Sequence, residues 1–174
     1  MGAEHIEYYT YEDYKNWEGD WELIDGIIYA MSPFALPSHQ KTAVRIVTQL
    51  EMNSKNCPQC HALMESEVKF SDETVVRPDV FIKCGELEDI SITPQIIFEI
   101  ISKGSVRRDE LLKFNLYKQE GVRYYVLVYP DSKKAKVYKL INGEYIKIQE
   151  IQEDILQIED LECKVYVDFG EVWF

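Results

Sequence analysis

The spacing of apolar residues changes period several times along this chain, and each change predicts an element. Ala43, Ile46, Val47 and Leu50 recur at helical spacing, which predicts a helix from His39 to about residue 53. Residues 96–101 read Ile-Ile-Phe-Glu-Ile-Ile, a nearly continuous apolar run of the kind found in a central strand buried on both faces. Residues 106–119 put Leu112 and Leu116 on one stripe, with Asp109 and Lys113 at i,i+4, and Gly121 follows as a helix stop. Residues 123–129 form a second buried strand. Asp25-Gly26 and Asn142-Gly143 are two-residue turn signals, so residues 21–31 predict one hairpin and residues 136–148 another. Thr10 with Asp13 forms a capping box for a short helix over 11–17. Residues 32–38 predict a loop and 56–59 a turn. Residues 62–70 and 80–83 read as strands, the latter opened by Pro78. Short strand-like pieces at 155–158 and 164–167 complete the pattern.

In order, this is helix, hairpin, helix, three strands, helix, strand, hairpin. It predicts an α/β (α+β mixed) fold, a mixed sheet with helices on both faces. The length of 174 residues suits a single domain over 1–174. With 46% hydrophobic and 13% aromatic residues the chain can bury a core, which excludes a disordered chain. No stretch reaches the roughly 20 apolar residues needed to span a bilayer. The first residues lack a basic start and an apolar signal core, so the expected location is cytoplasmic, with no membrane partner. In that reducing setting the four cysteines are expected to stay unbridged.

Net charge is −12, which weighs against nucleic acid as a partner. The distribution softens this. The chain from Glu144 onward holds nine acidic residues against Lys147 and Lys164, whereas 103–118 is locally basic through Lys103, Arg107, Arg108, Lys113 and Lys118.

The residue that stands out chemically is Glu99, alone in its apolar strand. A carboxylate there is costly to bury unless something pairs with it. Strand alternation puts it on the face of Ile97, Ile101 and Lys103. Asp79 opens a neighbouring short strand, so both carboxylates can converge at one sheet end. Two hard oxygen donors with waters suit Mg²⁺. A structural salt bridge from Glu99 to Lys113 or an arginine is the competing reading.

Several segments together resemble the Uma-type endonuclease family of the PD-(D/E)XK, or restriction-endonuclease-like, superfamily. They are Arg77-Pro78-Asp79-Val80, Phe98-Glu99-Ile100-Ile101-Ser102, Arg108 to Lys113 with Tyr117, and Gly121-Val122-Arg123-Tyr124-Tyr125-Val126. The Glu22 to Gly26 hairpin, Met31-Ser32-Pro33 and His39 fall in the same order. The resemblance implies a metal-dependent phosphodiesterase site in a restriction-endonuclease-like fold. Asp79 becomes the motif aspartate and Glu99 the motif acidic residue. The motif lysine is missing, because Ile101 stands two positions after Glu99. In the resembled family the lysine has moved to the following helix, which is Lys113 here. Lys103 competes for the role, but it adjoins Gly104, where the strand is expected to end. Tyr124 and Tyr129 stand where the family commonly has Glu and Asp, and both are read as structural.

The sequence thus points to a Mg²⁺-dependent endonuclease acting on DNA, with Mn²⁺ able to substitute. Asp79 and Glu99 would hold the metal, Lys113 would stabilise charge, and Glu22 or His39 would assist. Glu22 reads equally as a solvated hairpin residue, and His39 as a surface residue. Glu65 and Glu67 share a strand face and read as exposed. The competing function is a catalytically inactive nuclease-fold binding module, favoured by Ile101 and the acidic charge. The apolar tip Val172-Trp173-Phe174 is expected to dock on the domain or on a second copy, and the latter would make a homodimer. Cys57-Pro58-Gln59-Cys60-His61 matches a c-type haem attachment pattern, but that chemistry requires export. Zinc would need two more ligands, and Cys84 and Cys163 are distant in sequence, so the segment reads as a plain turn.

Overall fold

A computed structural model describes residues 6–31, 36–102 and 108–174, with the backbone alone for Arg108 and Asp109. Helix α1 (Tyr11–Tyr14) is opened by the expected box, in which the Thr10 N–H donates to Asp13 Oδ2 at 2.9 Å. It stops short of Trp17, whose ring packs edge-on against Tyr9, Tyr14 and Trp21. Strands β1 (Trp21–Ile24) and β2 (Ile27–Ala30) form the first hairpin. Asp25 and Gly26 both take positive φ, 51° and 78°, as a two-residue turn matching strand twist demands.

Helix α2 (Pro37–Asn53) starts two residues before His39. Proline suits a first helical turn, because its φ is already helical and its missing N–H has no partner to lose. Residues 32–35 of the predicted loop lie outside the described residues. The strand expected over 62–70 is two strands, β3 (Cys60–Met64) and β4 (Val68–Ser71). Between them Glu65 takes a left-handed φ of 52°, and the two strands enter different sheets. Strand β5 (Thr74–Val76) was not expected. Three residues carry little pattern of their own, and pairing with β4 and β1 makes it a strand.

Strands β6 (Val80–Cys84) and β7 (Ile96–Ile100) follow as predicted. A π-helical turn (Arg108–Lys113) runs directly into α3 (Phe114–Gln119). Then come β8 (Tyr124–Tyr129), the long hairpin β9 (Lys134–Ile141) and β10 (Glu144–Ile151), and the pair β11 (Ile155–Ile158) and β12 (Val165–Asp168).

The main sheet has the order β10-β9-β8-β7-β6-β3, and β7 with β8 is its parallel pair. A four-stranded sheet, β2-β1-β5-β4, lies beside it. On one face Ile96, Phe98 and Ile100 pack with Ala43, Ile46 and Leu50 of α2 and with the β11–β12 pair. On the other, Ile97 and Ile101 pack with Leu116 and Tyr117 of α3 and with Ile24, Val68 and Val76 of the smaller sheet. Helices therefore cover both faces, as the pattern predicted. Each fully buried Ile contributes about 1.5–3 kcal/mol. No described helix is long and apolar enough to cross a membrane.

The apolar tip docks on its own domain. Val172 is fully buried, Trp173 nearly so, and Arg45 Nη1 donates to the Trp173 carbonyl at 2.6 Å. Only Phe174 stays half exposed, under Lys41 and Arg45. This removes the sequence argument for a second copy seated on the tip. The cysteines depart further from expectation. Cys57 is bridged to Cys163 and Cys60 to Cys84, across 106 and 24 residues. The expectation of free thiols rests on a reducing compartment; the fold brings distant cysteines together because β12 packs against α2, which leads into the Cys57 turn.

Candidate active site

The site forms where β6 and β7 end. Their register pairs Val80 with Phe98, so Asp79, one residue before β6, comes level with Glu99 and Ile100. Asp79 Oδ2 accepts the Ile100 N–H at 2.6 Å, and Oδ1 lies 3.2 Å from His39 Nε2. His39 arrives from the first turn of α2. Burial pushes the Asp79 carboxyl up, but His39, the Lys113 charge and the Ile100 N–H outweigh it. The carboxyl is held below its ordinary range.

Glu99 points to the α3 face of the sheet by strand alternation. It is 2% exposed, Glu22 is 1% and Lys113 is 3%. The Lys113 ammonium lies 3.1 Å from Glu99 Oε1 and 2.8 Å from Glu22 Oε1. Glu22 Oε1 also accepts the Arg77 N–H at 2.9 Å, which ties β1 to the segment before Asp79. Glu22 is thus an interior residue, and the solvated hairpin reading is wrong. It pairs with Lys113 because β1 lies over the same sheet face as α3.

Lys113 is engaged with strand carboxylates. The side chain of Asp109, its expected i,i+4 partner, lies outside the described residues, as does Lys103. Ile101 occupies the position two residues after Glu99. It is buried in the apolar cluster with Leu116 and Tyr117, and the ammonium beside Glu99 is that of Lys113, which two carboxylates balance.

Sequence reasoning assigned no role to Tyr117, yet its fully buried hydroxyl donates to Glu99 Oε1 at 2.8 Å. Its spacing of four from Lys113 was the available signal, since such residues share a helix face. The end of α3 holds it in place. Val122 N–H donates to the Tyr117 carbonyl at 3.0 Å, with Gly121 between them at a φ of 80°, a left-handed helix stop.

Other candidates separate from the site. Tyr124 packs on the α2 face, opposite Glu99, and its hydroxyl donates to Asp160 Oδ1 at 2.5 Å. Tyr129 donates to Glu110. Neither hydroxyl bonds Asp79, Glu99 or Lys113 in these contacts. Glu65 offers its carbonyl to Arg77 Nε at 3.2 Å, and Glu67 accepts from Tyr14 at 3.3 Å. Neither joins the carboxylate cluster.

The donor set fits a divalent cation. Three carboxylates face one ammonium and one imidazole among the described side chains. Among those residues Glu22, Asp79 and Glu99 do not bring three oxygens within 4.8 Å of one another. A hard cation held there would take at most two of these carboxylates, with the rest of its shell filled by water. The Asp79 side chain is 14% and His39 16% exposed, so solvent reaches the cluster from their side. A hollow of about 480 Å³ lined by Val47, Met52, His61 and Leu63 contains none of these residues. The carboxylate cluster instead sits at the end of two interior strands of the main sheet.

The family profile of Uma2, described as putative restriction endonuclease, matches residues 7–166. The chain belongs to the Uma2 family. Uma2 membership makes it a member of a nuclease family. Its fold is restriction-endonuclease-like, similar to that of a putative nuclease belonging to DUF820 from Anabaena variabilis ATCC 29413. The two share 16% identity over 94% of this chain and 97% of that one, at a TM-score of 0.77. A chain of the DrdV-DNA complex aligns over 64% of this chain and 12% of its own length, at 16% identity. Its TM-score of 0.34 is too low to carry an argument. No curated protein is similar enough to this chain to count as a match.

Proposed function

We propose that the chain is a Mg²⁺-dependent endonuclease that hydrolyses phosphodiester bonds in DNA. The observation that carries this reading is the convergence of Asp79, Glu99 and Lys113 at one sheet end, although Ile101 fills the usual lysine position. Asp79 and Glu99 would hold the metal. When bound, it supplies hydroxide near neutral pH and neutralises charge on a phosphoryl oxygen. Lys113 offsets negative charge beside the reacting phosphate. Glu22 fixes the lysine, Tyr117 fixes Glu99, and His39 carries a proton at its Nε2.

The Uma2 family description supports nucleic acid as substrate, and the low-lying Asp79 carboxyl supports a ligand that is ionised at neutral pH. Against this stands the inactive binding module, which the deep burial of Lys113 between two carboxylates favours. Calorimetric titration of Mn²⁺ into the wild type and Glu99→Ala, followed by plasmid cleavage, separates the two. The nuclease reading expects binding that the variant loses, together with nicking or linearisation. Metal binding without cleavage of single- or double-stranded DNA would leave the inactive module as the better account.

A further inference from the structure

Four cysteines meet far from the carboxylate cluster. Cys57 and Cys60 flank a tight turn after α2, in which the Cys60 N–H donates to the Cys57 carbonyl at 3.1 Å. Cys84 ends β6 directly opposite Cys60 in the β3–β6 register. Cys163 lies in the loop between β11 and β12. The sulfurs of Cys57, Cys60 and Cys163 lie within 4.8 Å of one another, and those of Cys60 and Cys84 lie equally close to each other and to a Glu162 oxygen. Cys60 belongs to both groups, so the two bridges, Cys57–Cys163 and Cys60–Cys84, lie side by side in one region.

We propose that the reduced chain binds one Zn²⁺ through Cys57, Cys60, Cys84 and Cys163. A Cys-x-x-Cys turn with two cysteines from elsewhere is the ligand arrangement of structural zinc sites. Zn–S bonds of about 2.3 Å place tetrahedral sulfurs roughly 3.8 Å apart, so once both bridges are reduced the paired sulfurs separate to that spacing around the ion. Four soft sulfur donors select Zn²⁺ over Mg²⁺, so this site is chemically distinct from the one at Asp79 and Glu99.

The surroundings hold the ligands in place. Gly85 N–H donates to the Gln59 carbonyl at 2.8 Å, and His61 Nε2 lies 3.0 Å from the Gly85 carbonyl, which fastens the turn to the end of β6. Gln95 bonds both the side chain and the N–H of Glu162, at 3.1 and 3.2 Å, and so fixes the loop that carries Cys163. Cys60 and Cys163 are buried, with Cys57 and Cys84 partly so. Four protein ligands leave no open position, so the ion is structural. It joins the α2–β3 turn and β6 to the β11–β12 pair covering the α2 face.

The bridged and metal-bound forms use the same sulfurs. A thiol or phosphine reductant gives two electrons per S–S bond broken, and the four resulting thiols release their protons as zinc binds.

The test uses the full chain, purified with a phosphine reductant and without chelator. Elemental analysis is expected to find one zinc per chain, with four thiols titratable after unfolding. Replacement by Co²⁺ is expected to give the intense visible bands of a tetrahedral tetrathiolate. Cys60→Ser and Cys163→Ser should lose the metal, whereas His61→Ala and Glu99→Gln should keep one equivalent. A folded, fully reduced chain that takes up neither Zn²⁺ nor Co²⁺ would overturn the proposal. So would zinc that persists at full stoichiometry in both serine variants, or two disulfides that survive the reductant. If the serine variants fail to fold, the Co²⁺ spectrum of the wild type decides.

Discussion

The Lys113 ammonium and the Glu22 carboxylate stand 91 residues apart in the chain and meet at 2.8 Å in the interior. Neither has water to fall back on. Removing the cation leaves Glu22 and Glu99 charged and buried, which is far more costly than removing a surface pair. Lys113→Met is therefore expected to lose about 3–5 kcal/mol of stability. Adding Glu22→Gln to that variant should recover part of it. Urea unfolding of both variants in chelator checks this, and recovery in the double variant is the diagnostic outcome.

Tyr117 acts through Glu99. Tyr117→Phe removes a hydrogen bond to a charged acceptor and is expected to cost roughly 1.5–3 kcal/mol. If Glu99 holds the metal, losing this orienting partner should also weaken Mn²⁺ binding by about 10-fold or more. Glu99→Gln should abolish binding. Calorimetry on the folded variants reads the difference, and unchanged affinity in Tyr117→Phe would limit the hydroxyl to a packing role.

Asp160 gives a pH prediction away from the site. Its carboxyl is held below the ordinary range, chiefly by the Tyr124 hydroxyl and then by Lys139 and Arg123. A group depressed by folding contributes stability that is fully present above its unfolded value, about 3.9, and is lost as pH falls through the lower folded value. Tyr124→Phe should raise the Asp160 titration toward ordinary and narrow that acid window. Carboxyl NMR of the two proteins checks the shift. Cleavage should be unaffected, since Tyr124 lies on the sheet face opposite Glu99.

Gly121 stops α3 with a φ of 80°, and a Cβ built there meets nothing within 4 Å. The cost of Gly121→Ala is thus conformational alone, about 1–2 kcal/mol. Gly121→Asn should cost less, because Asn tolerates this region better. Thermal unfolding of the three proteins ranks them. Equal stabilities would show that the helix end relaxes and that Tyr117 is held from elsewhere.

Local signals were legible wherever the chain's own pattern was enough. Asp25-Gly26 and Asn142-Gly143 fixed two hairpins, because a two-residue turn needs positive φ at both positions. The apolar run at β7 marked a central strand and exposed Glu99 as the exception within it. Residues 62–70 misled, because alternation cannot show that Glu65 turns left-handed and sends β4 to another sheet. The three residues of β5 carried too little pattern to be seen without β1 and β4.

By itself the sequence determined the helix and strand periods, the turns, and Glu99 as the one carboxylate within an apolar strand, since these depend on neighbours a few residues apart. Only the tertiary structure decided that Glu22 joins Lys113, that Tyr117 reaches Glu99, that Trp173 docks on its own domain, and that Cys84 and Cys163 meet Cys57 and Cys60. Each of those contacts depends on how separate sheets and helices stack. Burial against a distant partner leaves no period in the chain, because the restraint acts through space and not along the backbone.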